Sequence, residues 1–172
     1  MSTLSFNLEL LNDEDRAIYE KMAAKRKKAG APFGGPYDAL MNHPKLCEKI
    51  EALGYYLKFE GHLPRNVYQF IVLTVAKKTQ AEFEWKDHVE HAVSAGVPQE
   101  VIDTLKSGGS SFPAPYKLAA ELLNYVFAWK NIPEPLQNAC ISAYGMYGLI
   151  EIVALSGFYQ LFAAINQGFD IH

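Results

Sequence analysis

Thr79-Gln80-Ala81-Glu82-Phe83-Glu84-Trp85-Lys86-Asp87-His88-Val89-Glu90-His91 gathers most of the chain's site-forming chemistry into one run. Thr79 and Glu82 have the S/T-x-x-E spacing of a capping box, which predicts a new helix beginning at Thr79. On that helix Glu84, His88 and His91 follow i, i+4, i+7 and share one face. A carboxylate one turn before an imidazole can hydrogen-bond it and fix its tautomer, the usual equipment of a general acid/base. The competing reading is a solvated i, i+4 ion pair, contributing only about 0.3–0.5 kcal/mol. A metal reading would take Glu84, His88 and His91 as ligands with Glu60 or His62 added, but no second Glu-x-x-His segment supports it.

Upstream, Val67 to Ala76 is apolar at almost every position, so the preceding helix is predicted to be buried on most of its circumference. His62-Leu63-Pro64 turns into it, and Gly61 ends the helix before. That earlier helix opens on Pro44 and shows a stripe of Leu46, Ile50, Leu53 and Leu57. Cys47 lies within it and reads as a core thiol. The punctuated loop Gly30 to Pro36 leads into a short turn of helix, Tyr37 to Met41. The first long helix has Asn12 as N-cap, acids at its start and Lys25 to Lys28 at its end.

Downstream, Gly96 closes the His88 helix, and Pro98 opens another with Val101, Ile102 and Leu105 apolar and Gly108 as its stop. Gly108 to Pro115 reads as a loop, a candidate lid or internal boundary. Helices follow at about Tyr116 to Trp129 and Glu134 to Met146, and the last runs from Gly148 to Asn166 with Gly168 beyond. No stretch alternates with period two for long. The reading is all-α, one domain of six to nine helices across the 172 residues, with 1–32 as an N-terminal helical extension.

Composition narrows the function classes. Hydrophobic residues make up 49% of the chain and net charge is -3, which offers no electrostatic footprint for nucleic acid or anionic lipid. Cys47 and Cys140 have no CxxC or zinc-ligand spacing, so buried thiols in a reducing compartment are expected. Glu151 and Gln160 interrupt the apolar last helix, which favours burial in protein over a membrane span. Met1 to Glu9 shows no secretory signal, and a cytoplasmic protein is expected. The aromatic surface of the last two helices (Tyr144, Tyr147, Phe158, Tyr159, Phe162) predicts self-association.

Gly34-Gly35-Pro36-Tyr37, His43-Pro44, Leu63-Pro64-Arg65, Thr74-Val75-Ala76, Glu82 to His88 and Ala95-Gly96-Val97 together resemble the carboxymuconolactone decarboxylase family, with its alkylhydroperoxidase-D-like helical fold. The resemblance covers roughly residues 33–169. The peroxidase branch carries a CxxC, then a histidine four residues on, with an upstream glutamate. By that comparison His88 holds the histidine position, Ala81 and Glu84 stand where the cysteines would be, and Gln69 replaces the glutamate. Disulfide cycling needs a thiolate pair, so the resemblance points to the branch that lacks CxxC. It implies cofactor-free, lyase-type chemistry on a small carboxylated lactone or keto acid, with His88 as proton donor and Glu84 as its orienting partner. Gln69 would donate to a substrate oxygen, Trp85 and Tyr159 would wall the pocket, and Arg65 would meet the substrate's negative charge. The resemblance also implies a homotrimer or homohexamer.

Overall fold

The computed structural model describes Leu4 and residues 6–28 and 33–171, and among these no strand occurs. Gly30, Ala31 and Pro32 of the expected loop lie outside the described residues, as do Met1, Ser2, Thr3 and Ser5 of the segment read for a secretory signal. Eight α-helices follow in order: α1 Asp13–Lys28, α2 Pro36–Leu40, α3 Pro44–Tyr55, α4 Arg65–Thr79, α5 Glu82–Ser94, α6 Gln99–Ser107, α7 Tyr116–Phe127 and α8 Glu134–Gly168. A 3-10 turn, Leu8–Leu10, precedes α1, and a π-helical turn, Tyr56–Glu60, follows α3. The all-helical reading therefore stands. The chain divides into two compact units, Met1–Tyr56 with Ala164–His172, and Leu57–Ala163. These boundaries do not coincide with the loop of residues 108–115.

In the first unit α3 packs against α1 and α2. Asn12 caps α1 as expected, its side-chain oxygen accepting from the Asp15 amide at 2.9 Å. Met22 is the buried residue of α1, and Arg26 lies 4.2 Å over the Tyr37 ring. Of the expected stripe, Ile50 and Leu57 are buried but Leu46 and Leu53 are not. Pro44, Cys47 and Ile50 are buried, whereas Leu46 and Leu53 are 45% and 48% exposed. The register is shifted because Pro44 and Cys47 are themselves part of the buried face, which turns Leu46 and Leu53 outward.

The second unit is built round α4, which packs against α5, α6 and α7. Every residue from Val67 to Ala76 is buried, as its composition predicts. The ends of these helices share one device. After α4, α5, α6 and α7 the chain turns left-handed at Gln80, Gly96, Gly108 and Trp129. Each time the next amide reaches back five residues: Ala81 to Ala76 at 2.9 Å, Val97 to Ala92 at 3.0 Å, Gly109 to Thr104 at 2.8 Å and Lys130 to Tyr125 at 3.0 Å. This is the Schellman closure, which satisfies carbonyls left open at a helix end. Glycine makes the two sites at Gly96 and Gly108 legible; Gln80 and Trp129 give no such cue.

The capping box at Thr79 does not form. Thr79 is the last residue of α4, and its hydroxyl donates back to the Val75 carbonyl at 2.8 Å. Thr79 thus belongs to the end of α4 and lies two residues before the N-cap position of α5. Ala81 is the N-cap of α5 and supplies no side-chain hydrogen bond. The loop of residues 108–115 is pinned rather than loose: Phe112 is buried and packs edge-on to Phe70 at 5.0 Å, and the Tyr144 hydroxyl donates to the Pro115 carbonyl. The two final helices of the sequence reading are both present within α8, meeting at a break at Gly145 (φ 76°, ψ 169°). By length and composition α8 could cross a bilayer, yet it carries Glu151, Ser156 and Tyr159 into buried positions.

Candidate functional site

Within the second unit, α4, α5 and α8 bring four polar side chains into one buried chain of hydrogen bonds. His88 on α5 is 6% exposed, Gln69 and Tyr68 on α4 are 1% and 2%, and Tyr159 on α8 is 5%. His88 Nδ1 lies 2.8 Å from Gln69 Oε1. Its Nε2 lies 3.2 Å from the Tyr159 hydroxyl, which lies 3.0 Å from the Tyr68 hydroxyl. An amide oxygen only accepts, so Nδ1 carries the ring proton and Nε2 is the acceptor for Tyr159. Tyr68 then donates to Tyr159, and the relay runs Tyr68, Tyr159, His88, Gln69. The rings agree, Tyr159 standing edge-on to His88 at 5.2 Å and to Tyr68 at 6.4 Å.

The imidazole is neutral. Burial pushes the His88 pKa from 6.5 down to about 3, and the positive charges of Lys58, His91 and Arg65 push the same way. The Asp87 carboxylate, 3.6 Å from Nε2, pulls against them. It is 54% exposed and beyond hydrogen-bond range, so solvent screens it and burial wins.

The ring nitrogens of His88 are met by Gln69 and Tyr159, where Glu84 was the expected partner. Glu84 is 3% exposed and sits one turn before His88, but both ring nitrogens are taken by residues from other helices. The i, i+4 rule put the two side chains on one face; it could not show that α4 and α8 reach that face first. His91 is exposed, with its ring 5.6 Å from that of His88.

Arg65 stands at the outer end of the relay. Its guanidinium lies 4.8 Å over the Tyr68 ring and donates to the carbonyl of Lys58 in the π-helical turn. Such turns recur where a protein places a functional group. Trp85 is elsewhere. It packs against a cluster of Ala76, Ala81 and Ala163 and lines a cleft at the junction of α4 and α5 to which Gln69, His88 and Tyr159 do not contribute.

Sequence reasoning missed Tyr68 and undervalued Tyr159. A signal for Tyr68 was there: a hydroxyl in the fully apolar run Val67 to Ala76 must find a partner once buried. Glu151 is a second buried acid. Its carboxylate accepts from the backbone amides of His62 at 2.8 Å and Leu63 at 3.1 Å, and meets the His62 ring at 3.1 Å. It thereby holds the turn that feeds α4. Cys47 and Cys140 are both buried free thiols, and burial pushes Cys47 up to about 12 and Cys140 upward.

No protein-family model matches the chain, and no curated protein matches its sequence. Among solved structures it resembles the crystal structure of a protein of unknown function from Agrobacterium tumefaciens, provisionally described as the antioxidant defence protein AhpD. The TM-score is 0.64 at 16% identity, over 76% of this chain and 92% of that one. At that identity the likeness speaks to architecture, and the chain has an AhpD-like all-helical fold.

Proposed function

We propose that this chain is a carboxymuconolactone decarboxylase-like, cofactor-free acid/base enzyme acting on a small carboxylated lactone or keto acid. The observation that carries the reading is the buried relay Tyr68, Tyr159, His88, Gln69, with a neutral imidazole at its centre. Loss of carbon dioxide from a β-keto acid breaks the carbon–carboxylate bond and leaves its electron pair in an enolate. That enolate then needs a proton on carbon and a cation beside its oxygen. A neutral His88 has no proton on Nε2 to give, so the donor role passes to Tyr159. Tyr159 gives its hydroxyl proton to the enolate carbon, and a proton taken up from water passes through Tyr68 to restore it, while His88, held by Gln69, orients the hydroxyl. Lys58 and Arg65, the cations whose charge reaches His88, supply the positive field for the substrate carboxylate. Peroxidase chemistry is disfavoured, because neither thiol is poised as a thiolate beside this relay.

A carbon dioxide release screen over small keto acids and carboxylated lactones tests the reading. For a responding compound, Tyr159→Phe and His88→Ala are each expected to lower turnover by about 10²-fold or more. Unchanged turnover in both variants ends the proposal. The protein is further proposed to work in the cytoplasm as a homotrimer or homohexamer. Support for self-association comes from α8, where Met146, Ile150, Val153 and Leu161 are 56%, 60%, 38% and 40% exposed and follow one helical stripe. Buried Phe158, Tyr159 and Phe162 leave that argument, since the unit itself covers them. Sedimentation as a monomer, unaltered by Ile150→Asp, would remove the support.

A further inference from the structure

The cleft at the start of α5 has its own chemistry. It has a volume of about 350 Å³ and is walled by Trp85, Ala76, Ala81, Lys77, Lys86 and Lys106, within the size range of small-molecule sites. Its floor is apolar because the helix junction is built of alanines. Ala76 and Ala81 are 2% and 3% exposed, and their short side chains leave the half-buried Trp85 indole facing open space. Its rim is basic, with Glu82 as the sole acid among the residues lining it. That acid is spoken for by Lys86, at 3.4 Å.

Lys77 and Lys106 have a bland explanation that must be weighed. Both stand in the last turn of a helix, where cations favour the dipole, and Lys77 donates to the Lys106 carbonyl at 2.8 Å. The two helix C-termini bring roughly half a negative charge each, and the start of α5 returns about half a positive one. Set against three lysines and Glu82, a surplus of between one and two positive charges remains over an aromatic floor. The protein as a whole is at -3, so the helix dipoles do not exhaust this charge and the overall composition does not explain it.

We propose that this cleft binds a small planar anion, a flat apolar body lying against Trp85 with its carboxylate or phosphate held among Lys77, Lys86 and Lys106. Lysine is a point charge with three rotatable donors, suited to either oxyanion and indifferent to the planar fork geometry that arginine selects. The site is separate from the His88 relay and does not rest on the proposed enzymatic activity.

Trp85 and Trp129 are the two tryptophans, and Trp129 is 89% exposed, so Trp129→Phe leaves Trp85 as the one indole reporter. In that background, benzoate, phenyl phosphate and neutral benzyl alcohol are titrated against indole fluorescence. A saturable change is expected with benzoate or phenyl phosphate at millimolar concentration, weakening as salt rises. Whichever anion saturates first assigns the oxyanion class. Replacing Lys77 and Lys106 together by Gln is expected to raise the dissociation constant about tenfold, and His88→Ala to leave it unchanged. Benzyl alcohol binding as tightly as benzoate, an unchanged constant in the double variant, or no saturation by about 10 mM with either anion overturns the proposal.

Discussion

Acid should destabilise this protein through His88 in a measurable way. The imidazole titrates at about 6.5 in an unfolded chain and is pushed to about 3 in the fold. Between those values the unfolded state binds a proton that the folded state refuses, so stability rises with pH across the window. Above pH 6.5 the group costs nothing. Below it, folding loses about 1.4 kcal/mol per pH unit until the folded form also protonates. From pH 7 to pH 5 the loss is about 2 kcal/mol, a shift of about 1 M in a urea midpoint for an ordinary slope. Other groups titrate in the same range, so the comparison is with His88→Gln, which keeps a polar side chain without the basic site. The stability difference, wild type minus variant, should fall by about 2 kcal/mol between pH 7 and pH 5. A difference constant with pH would show that His88 is charged or solvated in the fold, and the neutral relay would be wrong.

Glu151→Leu removes the acceptor of two backbone amides and of His62, and should cost about 3–5 kcal/mol in urea unfolding. Glu151→Gln, which keeps one acceptor, should cost less than half as much. On α3, Ile50→Ala should cost about 2–4 kcal/mol, and Leu53→Ala, at an exposed site, under about 0.5 kcal/mol; equal losses would restore the stripe through Leu46 and Leu53. Gly145 sits at φ 76° with ψ 169°, a region closed to side chains, so Gly145→Ala should cost about 1–3 kcal/mol by thermal unfolding. A neutral result there would mean that α8 can run through without its break.

Much of the architecture was legible because it is written in local chemistry. Asn12 before a run of acids, Pro44 and Pro64 at helix starts, and Gly96 and Gly108 after helices each act on the chain beside them, and each places a helix end correctly. The run Val67 to Ala76 has no polar face to offer water, so it could only be central. Where the reading failed, a distant partner decided the outcome. Thr79 has the spacing of a cap, but its hydroxyl finds the Val75 carbonyl, and Gln80 takes the left-handed position without any glycine to announce it. Leu46 and Leu53 look as apolar as Ile50, yet only packing against α1 and α2 selects which side of α3 is inner. At the site, His88 was found by its chemistry. Its partners lie 19 and 71 residues away in the chain, beyond the reach of any spacing rule.

The electrostatics of the relay bear on how such a site could work. Lys58, His91 and Arg65 all act to keep His88 neutral, so the empty site holds positive charge at its edge and none at its centre. Asp87, the acid 3.6 Å from Nε2, is half exposed and screened by solvent, so an imidazolium at His88 would carry much of the cost of a buried charge. An anionic ligand beside Lys58 and Arg65 reverses two of the three repulsions without altering burial, so His88 would bind a proton more readily with the site filled than empty. By reciprocity the ligand would then bind more tightly as the pH falls. A glutamate at position 69 would supply the missing negative charge permanently and make that response weaker. Gln69 keeps the same hydrogen bond to Nδ1 without the charge. On the proposed function, the amide at position 69 would leave the protonation state of His88 to the ligand.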